Sequence, residues 1–354
     1  MKRSTLRLGL QASAAVAVMM SAHIVTGQVA TAQELTSIAV LVPEQGTDYG
    51  WNQQGVDAAR IVAEQYGLEF LPAEGLGYGD VRPTLRELAE EGASLMIAHA
   101  SGYNTAAPEI AEETGVPVAI VDTPDGMVPG LVADYTLHGH EGAFLAGHMA
   151  ALMTRTGTVG IVVSGEPPSW NSQSAGFAMG IRHAGNDVNI VYAVIGPAAY
   201  GDAAGGRRVT ETVISAGADI IFGQGNGSSF GMIEAVETTQ ATDGGQAWFI
   251  DVIGDKSELD KGFLLSSVMW NMVPVYSAMV EDLQNGTFGT KSYTIGLADD
   301  SVQLLQTEHI PEDVWTNVMQ IRDQIIAGDI MVDIVTDAQE VRALMTSVED
   351  APAE

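Results

Sequence analysis

From Leu35 onward the chain repeats one unit, a short and nearly continuous apolar segment followed by an amphipathic one. SIAVLVP at 37–43, LEFLP at 68–72, SLMIA at 94–98 and PVAIVD at 117–122 read as strands. Between them the pattern predicts helices over Trp51–Tyr66, over VRPTLRELAEEG and over TAAPEIAEE. The second of these buries Val81, Leu85, Leu88 and Ala89 at helical spacing and turns Glu87, Glu90 and Glu91 to water. HEGAFLAGHMAALMT at 140–154 reads as a long helix, and Gly142, Ala143, Ala146 and Gly147 let it pack closely. TVGIVV at 158–163 opens a second series that runs through NIVYAVI, ADIIFG, AWFIDVIG and FLLSSVMW. Strands apolar on both faces belong to parallel sheets covered by helices on both sides. The expected fold is therefore α/β, with two doubly wound parallel-sheet lobes, and 354 residues suffice for both.

The first 32 residues stand apart. Lys2, Arg3 and Arg7 precede the apolar LQASAAVAVMMSA, and Ala30-Thr31-Ala32 offers the small residues a signal peptidase reads. The apolar run is short for a membrane span of about 20 residues. A signal peptide cleaved near Ala32 and a periplasmic mature chain are expected. With no cysteine, the chain excludes disulfides, thiol catalysis and a lipid anchor on cysteine.

Charge narrows the partners. Outside the leader, 12 Lys and Arg face 45 Asp and Glu, a formal charge of −33. Nucleic acid needs cations at its phosphates, so it is excluded as a partner, and anionic membranes are disfavoured. The acids are scattered, as at Glu112, Glu113, Asp299 and Asp300, which suits a solvated shell in salty surroundings. No DxDxDG calcium loop is present. The acidic SVEDAPAE reads as a frayed tail over 347–354.

The glycine loop FGQGNGSSFG at 222–231 suggests a phosphate cradle, but its glycines are spaced G-x-G-x-G. A dinucleotide fingerprint needs G-x-G-x-x-G at the first strand-helix turn, and no G-x-x-x-x-G-K-[ST] occurs anywhere. Neither a nucleotide cofactor nor a metal is expected. What remains is Asn226 and Phe230 at the carboxyl edge of a sheet, where open α/β sheets bind ligands. Other strand ends carry similar residues: Asp48, Trp51 and Asn52; Ser101, Tyr103 and Asn104; Asp122; Trp170 and Asn171; Asp251; and Trp270. Trp–Asn occurs three times in a chain with 5 Trp. An indole stacks on a flat ring and an amide meets a heteroatom edge, with stacking worth about 1–3 kcal/mol per base. The candidate ligand is a planar heterocycle.

On YGWNQQG, HASGYNTAAPEIA, HEGAFLAGHMAALMT, SWNSQSAGFAMG, GADIIFGQGNGSSFGM and FLLSSVMWNMVPVY, the chain resembles the basic membrane protein group of ABC-transporter substrate-binding proteins. That group is related to a purine-nucleoside receptor of spirochaetes. The resemblance covers about residues 36–300 and implies a type I periplasmic binding fold, two lobes joined by three crossovers. It places 33–154 plus about 270–300 in the first lobe, and 155–269 plus about 301–346 in the second. It implies a monomer that closes on a small molecule and delivers it to an inner-membrane permease. By position, Trp51-Asn52 falls on the family's Phe-Asn pair and Asp122 on an acid that meets the purine edge. Two departures weaken ribose recognition: Trp270 stands where nucleoside binders have Lys, and DVIGDK puts Ile253 at the first acid of a ribose motif while keeping Asp255. A purine nucleobase or a flavin fits such a cleft better than a nucleoside.

Rival readings are a receptor ectodomain of the same fold and a nucleoside-processing enzyme. Gly227–Gly231 matches G-x-S-x-G, with Ser229 as nucleophile and His309 as the only later histidine. His138, His140 and Glu141 could ligate a metal, though they also suit a helix start.

Overall fold

The computed structural model describes residues 35–185 and 187–345. The expected leader and tail lie outside the described residues. In chain order, β1 (Ser37–Leu41), α1 (Trp51–Tyr66), β2 (Glu69–Ala73), α2 (Arg82–Glu90), β3 (Met96–Ala98), α3 (Ala106–Thr114), β4 (Val118–Val121) and β5 (Val132–Leu137) form the first series. After α4 (Gly139–Met153) come β6 (Thr158–Val163), α5 (Pro168–His183), β7 (Asn189–Val194), α6 (Ala203–Ser215), β8 (Ile220–Gln224), α7 (Ser228–Thr238), β9 (Trp248–Ile253) and β10 (Leu264–Trp270). Then follow α8 (Val273–Asn285), β11 (Tyr293–Ile295), β12 (Val302–Leu304), α9 (Glu312–Ala327) and α10 (Ala338–Met345). Among the described residues no helix is long and apolar enough to cross a membrane.

Two six-stranded sheets result, in the order β11-β5-β4-β3-β1-β2 and β12-β10-β9-β8-β6-β7. Every pairing is parallel except β12 against β10. The central strands are buried on both faces, as Ile38 to Leu41 in β1 show, so their continuous apolar runs were readable in sequence. Strand β5 was not read as a strand. Its Asp134 breaks the apolar pattern, yet it is fully buried and accepts bonds from Thr123 N, the Thr136 hydroxyl and the Ser292 hydroxyl. A buried acid satisfied by three donors hides a strand from any hydropathy pattern.

Three connections between the sheets lie side by side. His138 N donates to Ile295 O at 3.1 Å, Leu297 N to Glu141 Oε2 at 3.2 Å, and Asn271 N to Ser301 O at 2.8 Å. Helix α4 packs on α5, α9, β10 and β12. We therefore propose that the first crossing lies at His138, ahead of α4, and not after Thr154. Glu141 serves here as a first-turn acid of α4, tied to Leu297.

Helices α4 and α5 touch backbone to backbone. A Cβ on Gly147 would fall 2.0 Å from Phe177 O, and one on Gly180 2.0 Å from Phe144 O. The small residues of α4 thus seat the base of the second lobe, whose loops face the first. Gly147→Ala and Gly180→Ala should each lose about 1–3 kcal/mol in urea unfolding. Gly79→Ala, whose new methyl meets nothing within 4 Å, should leave the midpoint in place. Equal midpoints for all three variants would show that the helices are not in backbone contact.

Candidate functional site

The carboxyl ends of both sheets face one cavity. From the first sheet come Pro43 after β1 and Trp51 at the start of α1, Tyr78 after β2, Ala100 and Ser101 after β3, Asp122 after β4, and Leu137 at the end of β5. From the second sheet come Pro167, Ser169 and Trp170 after β6, Tyr200 after β7, Asn226 after β8, and Trp270 at the end of β10. The cavity encloses about 70 Å³. So the space is narrow.

Three indoles line this slot, and each is held in place. Trp51 stacks on the His99 imidazole at 3.6 Å between centroids and 14° between planes. Its Nε1–H donates to His99 O at 2.9 Å, and His99 Nε2 lies 2.9 Å from Trp51 O. A carbonyl can only accept, so His99 Nε2 carries the proton and Nδ1 is the acceptor. Nδ1 faces the Tyr135 and Tyr276 hydroxyls at 2.9 and 2.7 Å. Burial lowers the His99 pKa to about 3, so the ring is neutral. Trp270 stands edge-on to Trp51 at 6.2 Å, and Trp170 edge-on to Tyr200 at 5.2 Å.

The polar lining is sparse. Among the described residues no Lys, Arg or His borders the cavity. Trp270 Nε1 and Asn226 Oδ1 are buried and have no hydrogen-bond partner among the described residues. One is a donor and the other an acceptor, and a buried unpaired group of this kind costs about 1–3 kcal/mol. Asp122 is the one carboxyl on the wall among the described residues. Burial first, and then the Asp134 charge, push its pKa up to about 7, against the N–H that Leu137 donates at 2.9 Å. Near neutral pH it is half protonated, and it can then donate as well as accept.

Of the residues expected at the site, Trp51, Ser101, Asp122, Trp170, Asn226 and Trp270 border the cavity, and the others do not. Asp48 accepts from the backbone N–H groups of Gly50, Asn52 and Gln53, and so caps the helix that carries Trp51. Asn52 bonds Asp48 and the Glu44 N–H. Tyr103 donates to Gly77 O beneath Tyr78, and Asn104 brackets Val121 beside Asp122. Asn171 donates to Glu166 O and Thr336 O. Asn271 accepts from Val273 N at the start of α8. The amides of the three Trp–Asn pairs therefore hold loops, while the indoles line the slot. Asp251 is fully buried against Lys256, and Phe230 is 37% exposed on α7 with its ring edge toward Tyr49. Ser229 donates to Asn226 O at 2.7 Å, while His309 packs on Trp248, 3.9 Å from Asp260.

Among the wall residues that went unread are two tyrosines. Tyr78 and Tyr200 meet at 5.5 Å, each following the second strand of its sheet. Both belong to the tripeptide Tyr-Gly-Asp. In each copy the Asp accepts a backbone N–H of the next helix, Asp80 from Arg82 and Asp202 from Gly205. That duplicated tripeptide, at matching places in the two series, was the available signal.

A sequence profile of the family described as ABC transporter substrate-binding protein, PnrA-like, matches residues 35–334. Basic membrane protein A1 of Borrelia garinii subsp. bavariensis is 23% identical over 321 residues, covering 89% of this chain and 93% of that protein. Among solved structures, an ABC transporter solute-binding protein from Aeropyrum pernix K1 superposes with a TM-score of 0.75. It is 19% identical and covers 88% of this chain and 98% of its own. A transcriptional activator of the comK gene from Bacillus halodurans gives 0.70 at 18% identity, covering 84% of this chain and all of its own. With two mostly parallel sheets and three connections, the fold is that of type I periplasmic binding proteins.

The Asp122 environment yields a test that needs no ligand. In the unfolded chain this carboxyl loses its proton near pH 4, whereas the folded protein keeps it until about pH 7. Between those values the unfolded state binds fewer protons, so Asp122 makes stability fall as pH rises, levelling above pH 7. Asp122→Asn removes that slope. Its melting temperature should match the parent at pH 4 and exceed it at pH 8; equal differences at both pH values would contradict the raised pKa.

Proposed function

Because the chain belongs to the PnrA-like family of ABC-transporter substrate-binding proteins, we propose that its cavity takes a bare planar heterocycle, a purine nucleobase, in preference to a nucleoside. As a family member it binds a small molecule outside the cytoplasm and hands it to a permease. The carrying observation is a narrow slot walled by Trp51, Trp170 and Trp270 from elements of both sheets' halves, with Trp270 Nε1 and Asn226 Oδ1 buried and unpaired among the described residues.

Each feature favours a neutral flat ring. The indoles supply stacking area and few degrees of freedom to lose. Trp270 Nε1–H asks for an acceptor, Asn226 Oδ1 for a donor, and a half-protonated Asp122 for either. A purine edge presents donors and acceptors side by side. The lack of any cation on the wall disfavours phosphate, so nucleotides fit poorly. At the position where ribose would be gripped, Asp251 is committed to Lys256, and the exposed Asp255 accepts from the Ser257 N–H and hydroxyl. A ligand touching both sheets favours the closed arrangement over the open one by its extra contacts.

Calorimetry with adenine and adenosine tests the choice. Adenine should bind, and Trp51→Ala and Trp170→Ala, one from each sheet, should each weaken it by the equivalent of about 1–3 kcal/mol. Tight adenosine binding with no adenine binding would overturn the base reading. Loss confined to one of the two variants would contradict a ligand clamped from both sides.

A further inference from the structure

The sheets touch at a second place, outside the cavity wall. Tyr49, in the loop between β1 and α1, sends its carbonyl into the turn that follows β9. Lys256 Nζ donates to Tyr49 O at 3.1 Å, and a Cβ on Gly254 would lie 1.8 Å from the same oxygen. Lys256 and its carboxylate partner Asp251 are both fully buried. None of Tyr49, Gly254, Lys256 or Asp251 borders the cavity.

Both sides of this contact hold unusual backbone. Tyr49 has φ +49°, and Ile253 has φ +72°. Gly254 N donates to Val252 O at 2.9 Å, which makes Ile253 the centre of a positive-φ γ-turn, a rare and strained form. A β-branched residue there is a true outlier. Strain of about 1–3 kcal/mol per residue persists only where surrounding contacts hold it. Here the contact across the sheets is what the two strained turns share. Tyr49 lies two residues before Trp51, so seating its carbonyl also sets the first indole of the slot.

We propose that the Tyr49 carbonyl, seated on Gly254 and Lys256, is the latch of the closed form, and that Lys256 is a positioning residue that governs how long the cavity stays shut. The proposal rests on closure of the two sheets around a ligand, and not on which heterocycle is bound. Asp251 neutralises the ammonium that closure buries, which would otherwise be prohibitive. When the sheets part, that pair regains water and the two turns can relax. The latch thus favours the closed arrangement on its own, and a ligand spanning the slot adds its contacts to it.

A chain without cysteine accepts clean pairs of spin labels. Exposed Glu87 on α2 and Arg208 on α6, each changed to Cys, report the separation of the lobes by pulsed electron resonance. Gly254 lies outside the left-handed region, and its new methyl would collide with Tyr49 O only while the sheets are together, so Gly254→Ala should fold while losing the short-distance population. Lys256→Met combined with Asp251→Asn, which leaves no unpaired charge, should keep some closed form and raise the adenine off-rate about tenfold. Retention of the parent's short distances by Gly254→Ala, with an unchanged off-rate in the double variant, overturns the latch. So does a parent that shows no short-distance population, as purified or with adenine. If adenine binds nowhere, the nucleobase reading fails, and the distances in the protein as purified still decide the latch.

Discussion

The Trp51–His99 pair fixes the geometry on which the cavity depends. Stacked faces and two reciprocal side chain to backbone bonds leave the indole one position. The imidazole is fixed in turn by Tyr135 on β5 and Tyr276 on α8. It lies so close to α1 that a Cβ on Gly55 would fall 2.4 Å from the ring. Elements separated by more than 170 residues therefore meet on one neutral histidine. Since His99 stays neutral down to about pH 3, the first wall of the slot does not change shape as Asp122 titrates.

The acidic surface and the site obey different rules. On the surface, arginines are shared among carboxylates, as Arg82 is between Asp80 and Glu109 and Arg207 between Glu211 and Glu234. Such exposed pairs contribute little, about 0–1 kcal/mol each. They do use up the few cations the chain has. Inside, the one buried lysine is spent on Asp251 and on the facing loop, leaving a cavity without positive charge. Selection there falls to ring faces and unpaired polar atoms.

Much of the fold was legible because its strands are buried on both faces, and buried parallel strands carry continuous apolar runs. The strands that escaped notice, β5, β11 and β12, are short or interrupted. The edge strands β11 and β12 have three residues each and alternate buried with exposed positions. At the site, tryptophan was a good marker, since a large ring at a strand end has few places to go. Asparagine was a poor one. Asn52, Asn104 and Asn171 satisfy backbone groups of neighbouring loops, work that residue type and spacing cannot distinguish from ligand contact. Tyr78 and Tyr200 were missed because each lies in a glycine-rich turn with no apolar periodicity around it.

By itself the sequence determined two sheets of parallel strands, a strongly acidic exterior and the placing of three indoles beside strand ends, because burial and strand connectivity are written in local runs of residues. Only the tertiary structure decided which side chains reach the slot, that burial raises the Asp122 pKa, and that Lys256 bridges to the facing loop. Those outcomes depend on desolvation and on partners far away in the chain. Both are properties of assembled surfaces, and no short window of residues contains them.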